Sequence, residues 1–311
     1  VREVLGKTIS GDPELHYLGS AADPIFAMQK MEKEWPDVLV LDIEMPRMDG
    51  ITFLRKLSRE SPLPVVICSS VAEKDASVTL EALSLGAAEI ITKPRLGVKT
   101  FLTESEVLIR DAIKAAFMAG SPGKGKETAS AVDSEVPKRM APRSREESGS
   151  AGLIAIGAPT GGIHALETIL SALPELCPPI LIVQHMPERF TRAFANRLNS
   201  IAHPRIEEAT DGLRVEPGLS LIAPGNFHMQ LGPAGQKVQI FQGELVNRHR
   251  PSVDVLFKSV AKNAPGSLGI LLTGMGDDGA AGLLAMRKAG CRTIAQDRTT
   301  SVVYGMPAEA A

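Results

Sequence analysis

Three polar residues, Asp42, Ser69 and Lys93, each close a short apolar run: LVLD, VVICS and IITK, the last just before Pro94. A carboxylate, a hydroxyl and an ammonium at one sheet edge suit phosphoryl transfer to the carboxylate. The ammonium balances the added charge and the hydroxyl hydrogen-bonds the new oxygens. Each residue alone reads as readily as a turn or helix cap. The set is specific, because DIEMPRMDG runs on from Asp42 and Lys-Pro closes the last run.

The second half of the chain carries a different set. In GLIAIGAPTGG an apolar strand enters a Gly-rich turn that opens the helical pattern IHALETILSAL. Free N–H groups at such a helix start favour an anion or an oxyanion. No Gly-Lys-Ser/Thr and no GxGxxG follows, which argues against a nucleotide. Further on, the strand PILIVQH ends at His185, with a helix expected in MPERFTRAFANRLNS. LGILLTGMGDDGAAGLLAMRKAG is another strand, turn and helix, presenting Asp277 and Asp278. A histidine and an acid at separate strand ends facing a Gly-rich turn are two thirds of a nucleophile, base and orienter set. From the residues alone, His185 fits a structural role as readily as a catalytic one.

The elements that would hold these groups are β-branched runs alternating with amphipathic helical patterns, the mark of parallel α/β sheets. In the first half the strands are expected at 15–21, 37–43, 64–70 and 88–93, with a last helix through FLTESEVLIRDAIKAAFMAG. VREVLGKTI reads as a helix with no strand before it, so the flavodoxin-like order 2-1-3-4-5 is expected to lack its central first strand here. Residues 119–150 are rich in Gly, Ser, Pro and charge and poor in large apolar side chains, and read as a flexible linker. The expected organisation is therefore a doubly wound α/β domain over 1–118, the linker 119–150, and a second doubly wound α/β domain over 151–311.

Composition narrows the partners. With 311 residues and a net charge of −2, the chain has room for two cores and no general basic surface for nucleic acid or anionic membrane. No apolar run reaches the ~18 residues of a membrane span, and no secretory leader opens the sequence, so neither membrane insertion nor export is expected. Cys68, Cys177 and Cys291 are widely spaced, which reads as reduced, buried thiols in a cytoplasmic protein. No helix-turn-helix or basic recognition helix supports a DNA-binding effector.

Residues 1 to about 118 resemble response-regulator receiver domains, on the strength of Asp42, DIEMPRMDG, Ser69 and Lys93-Pro94. The resemblance implies phosphorylation of Asp42 by a partner histidine kinase with Mg²⁺ assisting. It makes Ser69 the switch hydroxyl, Lys93 the charge partner, and Asp42 and the backbone carbonyl of Glu44 metal ligands. The family's remaining acidic pair follows the first strand, which this sequence lacks.

Residues 153 to 307 resemble the CheB family, the protein-glutamate methylesterases of bacterial chemotaxis. The matching stretches are IAIGAPTGG, QHMPERFTRAFANRLN, LIAPGNFHM, VNRHRPSVDVLF, LLTGMGDDGAAGLLAM and VVYGMP. The resemblance implies hydrolysis of glutamate γ-methyl esters, and deamidation of glutamines, on methyl-accepting chemoreceptors. It makes His185 the catalytic histidine and Asp278 its orienting aspartate, and places Thr160 and the backbone of Met275 around the oxyanion. It also implies that the unphosphorylated receiver covers the site. The sequence ends at GMPAEAA, short of the family's closing segment.

One departure governs the expected chemistry. Where the family's turn carries its nucleophilic serine, this sequence reads Gly157, Ala158, Pro159, Thr160. Proline has neither a hydroxyl to attack an ester nor an N–H to donate. Loss of a triad nucleophile costs on the order of 10⁶ in turnover. Thr160 is adjacent, but neighbouring residues on a turn point differently, so its hydroxyl is expected to miss the base. Two functions stay open: a phosphorylation-gated methylesterase, and a silent adaptor that keeps kinase and receptor contacts. Arg248, His249 and Arg250 read equally as a solvated loop or as a contact at the mouth of the site. His228 reads as a strand residue with a satisfied ring, and no spacing in this half suggests a metal.

Overall fold

The computed structural model describes residues 1–45, 47–70, 73–93, 99–120 and 152–311. In the first half the helices are α1 (Arg2–Ser10), α2 (Pro24–Met31), α3 (Gly50–Glu60), α4 (Glu73–Ser84) and α5 (Lys99–Gly120). The strands are β1 (Leu39–Asp42), β2 (Val65–Ser69) and β3 (Glu89–Thr92), parallel in the order β1-β2-β3. Alternation along β2 sorts its side chains. Val65 and Ile67 face the core shared with Phe53, Leu54 and Leu57 of α3, while Val66 and Cys68 face Ile109, Ile113 and Ala116 of α5. Helices therefore cover both faces of a parallel sheet, as a doubly wound domain requires.

Two expectations are corrected. The strand expected over 15–21 is not a strand: the segment runs without a ladder among the described residues, and a strand exists only through its pairing. Helix α5 continues through Ala119 and Gly120, into the stretch read as linker. Gly120 lies so close to Pro64 that a Cβ would stand 2.0 Å from the proline Cγ. The rest of the expected linker, from 121, lies outside the described residues.

In the second half a six-stranded parallel sheet has the order β11-β10-β4-β5-β7-β6. Its strands are β4 (Ile154–Gly157), β5 (Ile180–Val183), β6 (Arg205–Glu208), β7 (Leu219–Ile222), β10 (Leu268–Leu271) and β11 (Arg292–Ala295). A separate antiparallel hairpin joins β8 (His228–Leu231) to β9 (Val238–Phe241). Helices α6 (Gly162–Ala172) and α7 (Phe190–Ile201) cover one face; α8 (Val253–Asn263) and α9 (Ala280–Lys288) cover the other. A short α10 (Met306–Ala310) closes the chain. The helix expected from Met186 begins only at Phe190, after Arg189 turns left-handed at φ 75°.

The two halves touch. Helix α4 packs on α7, and one buried apolar cluster runs from Leu80 and Leu83 to Phe190 and Phe194. Among the described residues no helix is long and apolar enough to cross a membrane. Cys68, Cys177 and Cys291 are free and buried, and burial pushes the Cys68 thiol up to about 12.

Candidate active site

The order of the second sheet fixes where a site can form. From β4 the chain winds outward through β5 to β7 and β6, then returns to the other side of β4 as β10 and β11. The crevice at the carboxyl ends of β4 and β10 is thus a topological switch point, where open α/β sheets bind and react. Pro159 and Thr160 follow β4, His185 follows β5 by two residues, and Met275 and Asp278 follow β10. The strand expected to end at His185 stops its ladder at Val183, which leaves the imidazole on the loop.

His185 and Asp278 meet as expected. The Nε2 of His185 lies 2.8 Å from Asp278 Oδ2, with the imidazole 12% exposed and the carboxylate 1%. The carboxylate also takes hydrogen bonds from the Ser252 hydroxyl (2.7 Å), the Val253 and Asp254 N–H groups (2.7 and 3.2 Å) and the Asn247 side chain (3.1 Å). Burial works against its charge. The His185 bond and charge, the Ser252 hydroxyl and the Val253 N–H outweigh it and hold Asp278 well below the usual carboxylate range. With Nε2 on the acid, Nδ1 is the nitrogen left to take a proton. Asp277 is exposed and outside this network.

The Gly-rich turn holds its shape through the Pro159 carbonyl, which accepts from the Gly162 N–H (2.8 Å) and from Gln184 Nε2 (3.1 Å). Gly161 sits at φ 80°, a conformation that suits glycine, and caps α6. The proline ring lies against Gly274, where an added Cβ would stand 2.0 Å from Pro159 Cγ. Position 159 therefore presents a buried ring and no hydroxyl. The neighbouring Thr160 hydroxyl is committed elsewhere: it donates to Glu89 Oε2 of β3 at 2.6 Å. Thr273 ties this turn to the β10 loop, its hydroxyl 3.1 Å from the Thr160 carbonyl and accepting the Val303 N–H at 2.8 Å. Met275 lies on that loop, its Cα 3.2 Å from where a Gly305 Cβ would be.

Several residues here were not singled out as site residues, or not for the contact they make. Val246 and His249 pair across a two-residue turn whose central residues, Asn247 and Arg248, have φ of 49° and 67°. This matches a type I′ turn. It lays the His249 ring flat on His185, centroids 3.7 Å apart and planes 12° from parallel. Burial first, and the neighbouring His185 charge second, hold His249 well below its ordinary value. Arg248 reaches Asp111 of α5 at 3.1 Å, and Arg250 bonds Asn226, so the basic cluster is neither a free loop nor one surface. His228 is the satisfied strand residue expected, its Nε2 2.8 Å from the Glu244 carbonyl and its Nδ1 accepting the Ser252 N–H. Ser252, Asn247 and Asp254 carried no local signal beyond a helix start. A cavity of about 450 Å³ lined by Glu175, His203 and Arg205 opens at the opposite strand ends, remote from His185.

In the first half Lys93 Nζ lies 2.9 Å from Asp42 Oδ1 and 3.0 Å from Glu44 Oε2. Partial burial works against its charge, but these two bonds outweigh it and hold the ammonium above its usual range. Ser69 ends β2 as expected, yet its hydroxyl pairs with Thr79 of α4 at 3.0 Å and not with Asp42. Among the described residues no three His, Cys, Asp or Glu side chains gather as a metal site. Asp42 and the Glu44 carbonyl offer two oxygens, while the Asp42 and Glu44 carboxylates already meet Lys93. That set does not by itself fit Mg²⁺, which demands octahedral oxygen coordination.

The chain is similar to known proteins along its whole length. Residues 154–311 match the CheB methylesterase family and residues 1–99 the response regulator receiver domain. A protein-glutamate methylesterase/protein-glutamine glutaminase of Xanthomonas oryzae is 51% identical over all of this chain and 91% of its own length. One from Pseudomonas syringae is 52% identical over all of this chain and 89% of its own. The crystal structure of the Thermotoga maritima CheB methylesterase catalytic domain matches with 38% identity and a TM-score of 0.50, covering 52% of this chain and 87% of that one.

Proposed function

The chain belongs to the CheB methylesterase family, with a response regulator receiver domain ahead of the methylesterase domain, and on that premise we propose how its residues divide the work. The substrates are glutamyl γ-methyl esters, and glutamine amides, on methyl-accepting chemoreceptors in the cytoplasm. The observation that carries this reading is the buried His185–Asp278 pair at the switch point beside the Pro159 turn.

With serine at 159 the chemistry follows directly. The hydroxyl oxygen attacks the ester carbonyl and His185 takes its proton, while Asp278 holds the imidazole. N–H groups around Thr160 and Met275 meet the oxyanion. Methanol leaves with the proton, and water then releases glutamate by the same steps; from a glutamine, ammonia leaves instead. Pro159 removes the first step, since His185 has no hydroxyl there to polarise. Thr160 does not replace it in this arrangement, because its hydroxyl is bonded to Glu89.

Control falls to the receiver. Asp42 accepts a phosphoryl group from a chemotaxis histidine kinase, and Lys93 balances the new charge. Mg²⁺ assistance, proposed by family, needs more ligands than the described residues supply, so no step is routed through the metal here. The packing of α4 on α7 and the contacts of Glu89 and Asp111 close the receiver over the site; phosphorylation shifts the population toward release. Pro159 favours a second reading, an adaptor that binds receptor and kinase without turnover.

Methanol release from methylated receptors separates the two. The chain with Pro159 should stay near background and Pro159→Ser should restore release. If the Pro159 chain is active and Thr160→Ala abolishes that activity, Thr160 is the nucleophile and the division above is wrong. If Pro159→Ser stays silent, the adaptor reading takes its place.

A further inference from the structure

We propose that Glu89 is an intramolecular product mimic: the receiver closes the site by placing its own glutamate side chain in the subsite that a receptor glutamate occupies after hydrolysis. The proposal deepens the methylesterase reading and rests on it.

Glu89 opens β3, the edge strand of the first sheet. Its Oε2 accepts the hydroxyl of Thr160, a buried residue adjacent to position 159, at 2.6 Å. His185 lies within electrostatic reach of the same carboxyl. Its Oε1 has only a long 3.4 Å contact from the N–H of Ile90, its own neighbour, and among the described residues no Lys or Arg pairs with it. The residue is half-buried in the strand, and desolvation there pushes its carboxyl above the usual range, against the Thr160 bond.

A half-buried carboxyl with no Lys or Arg partner among the described residues is a costly way to glue two surfaces. The apolar packing of α4 on α7 already supplies closure, and a leucine at 89 would add to it at less cost. What a glutamate offers is identity with the product. The γ-carboxyl left by ester or amide hydrolysis has the same atoms and reach as the group now bonded to Thr160. A subsite that receives the one receives the other. Closure is thereby matched to the site's own specificity, and a receptor side chain must displace Glu89 to enter.

The first test uses the full chain with Pro159 and two receptor-helix peptides, one bearing a single glutamate γ-methyl ester and one with alanine in its place. Glu89→Ala should bind the ester peptide about tenfold more tightly than the unchanged chain, because the competing conformer is gone. The alanine peptide should gain nothing. An equal gain for both peptides would reduce Glu89 to a clasp, and no gain for either would remove it from the subsite; both outcomes overturn the proposal.

The second test turns the mimic into a substrate. In the Pro159→Ser chain, Glu89→Gln places a side-chain amide in the site. Water should replace its NH₂, the C–N bond breaking and ammonia leaving, so that mass spectrometry finds the acid at that position. Asp278→Asn should stop the conversion. Persistence of the amide in a chain that releases methanol from receptors overturns the proposal and leaves the family chemistry standing. Absence of methanol release counts against the serine step instead, and the peptide comparison then decides for Glu89.

Discussion

Asp278 and Asp254 cap each other's helices. Asp278 precedes α9, yet its carboxylate takes the Val253 and Asp254 N–H groups at the start of α8. Asp254, in the first turn of α8, takes the Gly279 and Gly282 N–H groups (3.0 and 2.7 Å) at the start of α9. Each carboxylate meets the positive end of the other's helix. The acid that orients His185 is thus also part of what binds α8 to α9.

Substitution at Asp278 should therefore unsettle the fold as well as the site. Asp278→Asn removes the charge that His185 and the α8 N–H groups share, and should cost about 3 kcal/mol in urea unfolding. Ser252→Ala removes one of the surrounding donors and should cost about 1 kcal/mol. Unchanged stability in Asp278→Asn would show that the charge of this carboxylate adds nothing to the joining of α8 and α9.

Acid should weaken the protein in two stages. His249 has a folded-state pKa below its ordinary 6.5, held there by burial and by His185. The unfolded chain then binds the proton first, so stability present above pH 6.5 is lost as pH falls. Asp278, depressed below 3.8, adds a second loss once pH falls under that value. His249→Phe keeps a ring to stack on His185 and should flatten the decline in Tm between pH 7 and 5, leaving the steeper acid limb. An unchanged decline would mean that His249 protonates freely in the folded state.

Gly274 and Pro159 should prove coupled. A methyl at 274 would meet the proline Cγ at 2.0 Å and Met306 Sδ at 2.9 Å. Gly274→Ala should cost about 2 kcal/mol by overpacking. Beside Pro159→Ser the ring is absent, and the penalty should shrink by about 1 kcal/mol in a double-mutant cycle. Strict additivity would mean that the backbone moves apart without cost.

With the first strand restored and Mg²⁺ supplied, Asp42 should be the residue that takes label from a small phosphodonor, and Asp42→Asn should take none. Labelling should raise amide hydrogen exchange in α4 and α7, where the halves meet, and leave β4 and β5 unchanged. Equal labelling in both proteins would move the acceptor elsewhere.

Much of this was legible because strand ends and glycine turns are local signals. LVLD and IITK placed Asp42 and Lys93 on one sheet edge, and the 2.9 Å pair follows from the parallel register. His185 and Asp278 likewise lie on loops just past strand ends, and the β4–β10 switch brings those loops together. What stayed hidden depends on contacts between elements distant in sequence. Nothing in AAEIITK marks Glu89 as facing Thr160, because that contact belongs to the docking of two separately patterned units. His249 read as one of three basic residues, since stacking on His185 is set by the left-handed pair at 247 and 248. Ser69 read as facing Asp42; its hydroxyl instead pairs with that of Thr79 on α4. Residues 15–21 had a strand's composition without the neighbour that would make them one.

Strand β3 holds Glu89 at its start and delivers Lys93 just past its end. Four residues of extended chain separate them, about 13 Å at ~3.3 Å per residue. A strand laddered to its neighbour behaves as a stiff rod, so on the proposed functions the ammonium that answers the phosphoryl group and the carboxyl that stoppers the site belong to one mechanical part. The rod also has a fixed length: one residue more or less between its tips would turn Glu89 to the opposite face of the sheet, uncoupling sensor from stopper while leaving both intact.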